Sequence, residues 1–345
     1  NYCENPIWYC ITALPEFQNP QSSNISSQID AYFINCMARG LYEKYPQIKD
    51  AINEWNESGD SILISNLQKN EDLKNVLLEN TPWIQDAKSE SLRMQNLASM
   101  FDYPNNESKV NKLLNNIIAL QANDGGWSWC ASMPSSVYMT TQVLHRLAML
   151  KERGFLTDYN QIEENIESAI SFCDNEFAKY NKEQYQYNSV PLINYLYIRS
   201  CFNQEVKNTK FSDIKENTIK NLKINWRKLS KYDQATSAML LHKEGYVSLS
   251  REILESLNQN ALYSEEKGCW FDNLSGANSL LTTKQVLLAY TKIDSDNKNI
   301  DLLRQWLIMQ RQAQNWGDTG YTIEVIYAIL SAGTEWLDPS DNSSI

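Results

Sequence analysis

Apolar residues recur at helical spacing through most of this chain, and little interrupts them. Only 11 glycines and 9 prolines punctuate 345 residues, and alternating β-branched runs are scarce. Ser135-Ser136 opens a stretch that puts Val137, Val143, Leu144, Leu147 and Leu150 on or near one face, and Gly154 closes it. Asp158 or Asn160 is placed to cap the next, in which Ile162, Ile166, Ile170 and Phe177 follow. Later helices are expected over 189–201, 213–226, 232–244, 247–261, 278–292, 298–311 and 319–332. Earlier ones fall near 26–46, 49–57, 72–80, 86–102 and 106–122. The spacing therefore predicts an all-α chain of about twelve helices joined mostly by short loops. With 42% hydrophobic and 21% charged residues the chain has the composition of a globular protein. Its 39.9 kDa is enough for one large core.

Charge and cysteine usage narrow the function classes. The formal net charge is -11 and no basic patch stands out, so nucleic acid is not an expected partner. No apolar run reaches the ~20 residues of a membrane span. The seven cysteines (Cys3, Cys10, Cys36, Cys130, Cys173, Cys201 and Cys269) lack Cys-x-x-Cys spacing, and there are two histidines, His145 and His242. Neither a metal site nor a cofactor is expected from that set; the cysteines read as small buried hydrophobes, with one or two disulfides the alternative in an oxidising compartment. Neither histidine has a candidate nucleophile at useful spacing, so both read as surface or satisfied core residues. The start, Asn1-Tyr2-Cys3-Glu4, carries no signal sequence, and the chain reads as a piece of something larger.

Two segments repeat a Trp-bearing loop followed by a Thr-rich helix start. One runs Trp127-Ser128-Trp129 to Thr140-Thr141-Gln142-Val143-Leu144. The other runs Trp270-Phe271-Asp272 to Thr282-Thr283-Lys284-Gln285-Val286-Leu287. Trp316-Gly317-Asp318-Thr319 into Thr322-Ile323-Glu324-Val325-Ile326 is a shorter version. Repeated helix pairs form an array that stacks openly or closes into a ring, and about six pairs suit closure.

Three blocks in this order resemble the thioester domain of the secreted α2-macroglobulin-like proteins of Bacteroidetes. They are Asn5-Pro6-Ile7-Trp8-Tyr9 with Ala13-Leu14-Pro15; Asn123-Asp124-Gly125-Gly126-Trp127-Ser128-Trp129 with Ser135-Ser136-Val137-Tyr138-Met139-Thr140; and Thr283 to Tyr290, Trp306-Leu307 and Asn315-Trp316-Gly317-Asp318-Thr319. The resemblance spans roughly 5–333 and implies an α/α toroid of about six helical hairpins. The domain is expected over 1–335, with 336–345 a tail or linker. Gln121 to Trp127 also fits the Gln-x-x-x-Gly-x-Trp repeat of triterpene cyclases, which use a related toroid, but the Asp-rich acid motif of those enzymes is not visible. That echo is read as shared scaffold: Gln ties helix ends together and Trp seals the loop.

Active members of the α2-macroglobulin family carry Cys-x-Glu-Gln before the first long helix, and its Cys and Gln close an internal thioester. Alignment on Ala13-Leu14-Pro15 and Tyr32-Phe33-Ile34-Asn35 puts Asn24 where the Cys belongs and Ser27 where the Gln belongs, with Gln28 one residue late. Cys36 lies too far inside the helix to replace the thiol. The resemblance thus implies a thioester-less, non-catalytic element of a secreted or periplasmic protein, its parent lipid-anchored. Its partners would be proteins, either a protease or other domains of the parent chain, and it would be a monomer. The alternative is a toroid glycosidase or lyase. It would use Asp124, Asp272 and Asp318 beside Trp127, Trp129, Trp270 and Trp316 at a cavity rim, where two carboxylates flank a stacked sugar.

Overall fold

The computed structural model describes residues 10–46, 49, 96–130, 132–179, 189–272, 279–313 and 319–332, apart from 12 and 98. The helices expected near 49–57 and 72–80, and most of that at 86–102, lie outside the described residues.

The helices named here are α1 (Ile25–Lys44), α2 (Tyr103–Ala119), α3 (Val137–Arg153), α4 (Tyr159–Lys179), α5 (Ser189–Ser200), α6 (Thr209–Asn225), α7 (Lys231–Lys243), α8 (Val247–Gln259), α9 (Ser279–Ile293), α10 (Asn299–Ala313) and α11 (Thr319–Ser331). The chain is all-α, as its periodicity requires. A departure lies between α8 and α9, where β1 (Leu262–Ser264) pairs antiparallel with β2 (Gly268–Trp270). Three residues per strand are too few to show a two-residue periodicity, so this hairpin read as loop.

Local chemistry sets the helix ends. Asn24, Ser136, Asn208 and Ser230 each accept a backbone N–H from the first turn of α1, α3, α6 and α7 respectively. Gly154 stops α3 in the left-handed region at φ 73°, which costs a Cβ-bearing residue energy and glycine almost nothing.

The odd- and even-numbered helices bury themselves differently. In α9 every residue from Thr282 to Tyr290 is buried, and α7 is buried without a break from Ala235 to Leu241. A helix buried all round belongs to the interior. By contrast α8 buries only Ser250, Ile253, Leu254 and Leu257, a single stripe at the i, i+3, i+4, i+7 spacing of a surface helix. Contacts run α1–α3–α5–α7–α9–α11 and return from α11 to α1, so their order among the odd-numbered helices is cyclic. The even-numbered helices pack outside this set: α2 on α1 and α4, α6 on α4, α8 on α7 and α9, and α10 on α9 and β2.

Candidate functional site

The positions where the resemblance would put a thioester form a helix cap. Asn24 precedes α1 in extended conformation, and its Oδ1 accepts from Ser27 N at 2.9 Å. Ser27 Oγ accepts in turn from the backbone N–H groups of Gln21 (2.7 Å) and Ser22 (3.1 Å). Gln28 is buried; its Nε2 donates to Ser22 O at 3.0 Å and its Oε1 accepts from Asn116 of α2 at 3.1 Å. Asn24 Oδ1, Ser27 Oγ and the Gln28 carboxamide are thus committed to holding the turn into α1. The nearest described thiol further along α1 is Cys36, twelve residues from Asn24, which is about 18 Å along a helix. Burial pushes the Cys36 thiol up to about 12, leaving it protonated and unreactive near neutral pH. Asn24→Ala is expected to lower the unfolding free energy by about 1 kcal/mol, and Asn24→Ser by much less, in urea melts of the two variants.

The two Trp-bearing loops are built alike, although not in the register of their tryptophans. Trp127 is 0% exposed; its indole N–H donates to Ile117 O and its backbone N–H to Thr140 Oγ1, both at 2.9 Å. In the second loop the group that donates its backbone N–H to a threonine is Phe271, bonded to Thr283 Oγ1 at 3.1 Å and likewise fully buried. Trp270, one residue earlier in β2, is half-buried and stacks on Trp306 of α10 at 6.3 Å between centroids. Gln121 ties the first loop to α4, its Nε2 donating to Gly125 O (2.8 Å) and Asn165 O (2.9 Å). Gly125 has φ +89°, and a Cβ there would come 2.5 Å from Ser168 O, so this turn admits only glycine.

The carboxylates beside these rings serve the loops. Asp124 Oδ1 accepts from Gly126 N (3.0 Å) and Ser135 Oγ (2.7 Å), and Asp272 Oδ1 accepts from Ser279 Oγ (2.9 Å). Trp129 is 51% exposed and stacks on the exposed Tyr138 at 5.6 Å with an interplanar angle of 11°. Trp316 and Asp318 lie outside the described residues. His242 Nδ1 meets Ser250 Oγ at 3.3 Å.

Two ionic networks join the odd-numbered helices. In the first, Arg146 of α3 donates from Nε to Asp30 of α1 (2.8 Å), from Nη1 to Glu324 of α11 (2.9 Å) and from Nη2 to Gly320 O (3.2 Å). Lys284 of α9, only 1% exposed, reaches the other Glu324 oxygen at 2.7 Å and Gln285 Oε1 at 3.1 Å. Gln285 Nε2 donates onward to Thr236 of α7 at 2.8 Å. Burial alone would raise the Glu324 carboxyl, but Lys284 and Arg146 hold it far below the ordinary carboxylate range. His145 lies 3.8 Å from Glu324, and burial lowers its imidazole to about 4 despite that carboxylate. In the second network Glu152 of α3 binds Lys292 of α9 and, at 3.1 Å, Lys243 of α7, while Tyr197 of α5 donates to it at 3.3 Å. Against its burial, Lys292 and Lys243 bring this carboxyl down to about 2.

Sequence reasoning had no local signal for these networks, because Arg146 and Glu324 stand 178 residues apart. The one hint is that Lys284 and Glu324 are charged residues in helices that carry almost no other charge. Among the described residues Cys36, Cys130, Cys173, Cys201 and Cys269 are free thiols, and no group of three or more His, Cys, Asp or Glu is placed to hold a metal ion. Nor is any described helix long and apolar enough to cross a membrane. No protein-family model matches the chain, and no curated protein matches it.

Proposed function

We propose that this chain is a thioester-less α/α toroid of the α2-macroglobulin type, acting by non-covalent protein binding within a secreted or periplasmic parent. The observation that carries the reading is the loop from Gln21 to Gln28. Asn24 and Ser27, at the positions where a Cys and a Gln would close a thioester, are engaged in capping α1. Two further features support it: the cyclic contact order of the odd-numbered helices, and the ionic networks that tie them into a stiff body. A rigid body with no poised nucleophile among its described residues suits recognition better than bond making. A protease, or a neighbouring domain of the same parent, is the partner this reading implies.

The stacked Trp129–Tyr138 pair favours a second reading, because an exposed aromatic face beside a carboxylate-bearing loop suits a sugar ring. Incubation with endoproteases separates the two readings. The first expects a complex on native gels that disappears in denaturant, and no methylamine-dependent labelling of a thiol by iodoacetamide. A covalent adduct or a methylamine-released thiol would sink the thioester-less reading. Release of reducing ends from a polysaccharide, with no protease complex, would transfer the assignment to the glycosidase or lyase.

A further inference from the structure

Five odd-numbered helices, α3, α5, α7, α9 and α11, end around one basin. A cavity of about 490 Å³ is lined by Lys151, Glu152 and Arg153 from the end of α3, with Lys243 and Lys292 at the ends of α7 and α9. Ser331, the last residue of α11, and Ser200, the last of α5, complete its wall. Lys44, the last residue of α1, adds its charge beside Arg153.

In a protein of net charge -11, this lining holds four cations and a single carboxylate. That carboxylate is already spent. Glu152 pairs with Lys292 and Lys243 together, one negative charge shared by two positive ones. Among the described residues Lys44, Lys151 and Arg153 have no carboxylate within ion-pair reach. Lys151 Nζ rests instead on the rings of Tyr159 (4.3 Å to the centroid) and Phe202 (5.2 Å), and Arg153 donates to Tyr45 Oη and to Leu330 O. The cations also oppose one another. Burial and then Arg153 depress Lys44; burial depresses Lys151, with Cys201 and Glu163 opposing it and Lys243 adding to it. These cations lie in the last turns of their helices, whose negative ends offset part of this field. The volume is that of a small-molecule site.

We propose that this basin binds a small, multiply charged oxyanion, one carrying two or more carboxylate or phosphate groups. The proposal goes beyond the protein-binding reading and does not depend on it. Glu152 positions Lys243 and Lys292 side by side, and Lys151 and Arg153 supply charge from the facing wall.

Calorimetric titration of the full chain with citrate and with pyrophosphate, at constant ionic strength against a chloride control, tests it. Saturable 1:1 binding of at least one is expected, and the tighter of the two identifies the head group. Lys151→Gln and Lys243→Gln should each weaken that binding about tenfold, the loss of roughly one charge contact. Lys220→Gln, on the exposed face of α6, should leave it unchanged. Thermal melts of each variant establish that it is folded. Heats no different from chloride, or binding undiminished in both folded basin variants, would overturn the proposal and leave these cations as partners of the helix ends alone.

Discussion

Glu324→Gln is expected to destabilise the fold by about 3–5 kcal/mol, the cost of removing one partner from a buried ion pair. The substitution leaves Lys284, 1% exposed, without its carboxylate. Arg146 keeps Asp30 and so loses only half of its pairing. Urea unfolding of Glu324→Gln, Lys284→Met and the double variant forms a cycle. The double variant should recover most of the loss, because removing both charges removes the desolvation penalty as well. Equal and additive losses would mean that the two groups do not act as a pair.

The same network sets how the fold responds to acid. His145 has a folded-state value of about 4, below its ordinary 6.5, so the unfolded chain binds the proton more readily. The stability it contributes is fully present above about pH 6.5 and is lost as pH falls towards 4. Glu152 and Glu324 have depressed folded-state values, so their contribution is present above the ordinary carboxylate range. It is lost as pH falls below about 4.5 and through about 2 for Glu152. Stability should therefore decline in two stages on acidification. His145→Gln should flatten the upper stage alone, which urea midpoints measured across that range would reveal.

Trp127→Ala should cost about 3–5 kcal/mol, the range for emptying a buried aromatic site. The side chain is fully enclosed, and Ile117 O would lose its indole donor. Trp127→Phe should cost less, since it keeps most of the volume and forfeits the hydrogen bond. Phe271 already occupies the equivalent place in the second loop. Trp129→Ala, by contrast, should change stability by no more than about 0.5 kcal/mol, because its ring is half exposed. A Trp129 variant as unstable as the Trp127 one would contradict the division of roles between these two rings.

Much of this was legible before the fold was seen. The spans 247–261 and 319–332 lie within two residues of α8 and α11, since periodicity and capping chemistry are local properties. Gln121 and Trp127 read as a tie and a seal, and that is how their hydrogen bonds run. The second loop was harder. Trp270 invited alignment with Trp127, but the register is shifted by one residue, and Phe271, just after the end of β2, lies inside. Aromatic identity did not reveal that shift, whereas the threonine bond does.

The sequence by itself determined the helices and their caps. Each of these depends on residues within a turn or two of one another. Only the tertiary structure decided which charges are buried together. Asp30, Arg146, Lys284 and Glu324 come from four helices spread over almost the whole chain. Their pairing, like the gathering of Lys151, Arg153, Lys243 and Lys292 around one basin, follows from which helices lie side by side. Electrostatic energy depends on distance in space and on the water excluded around a charge, and the linear order of residues records neither.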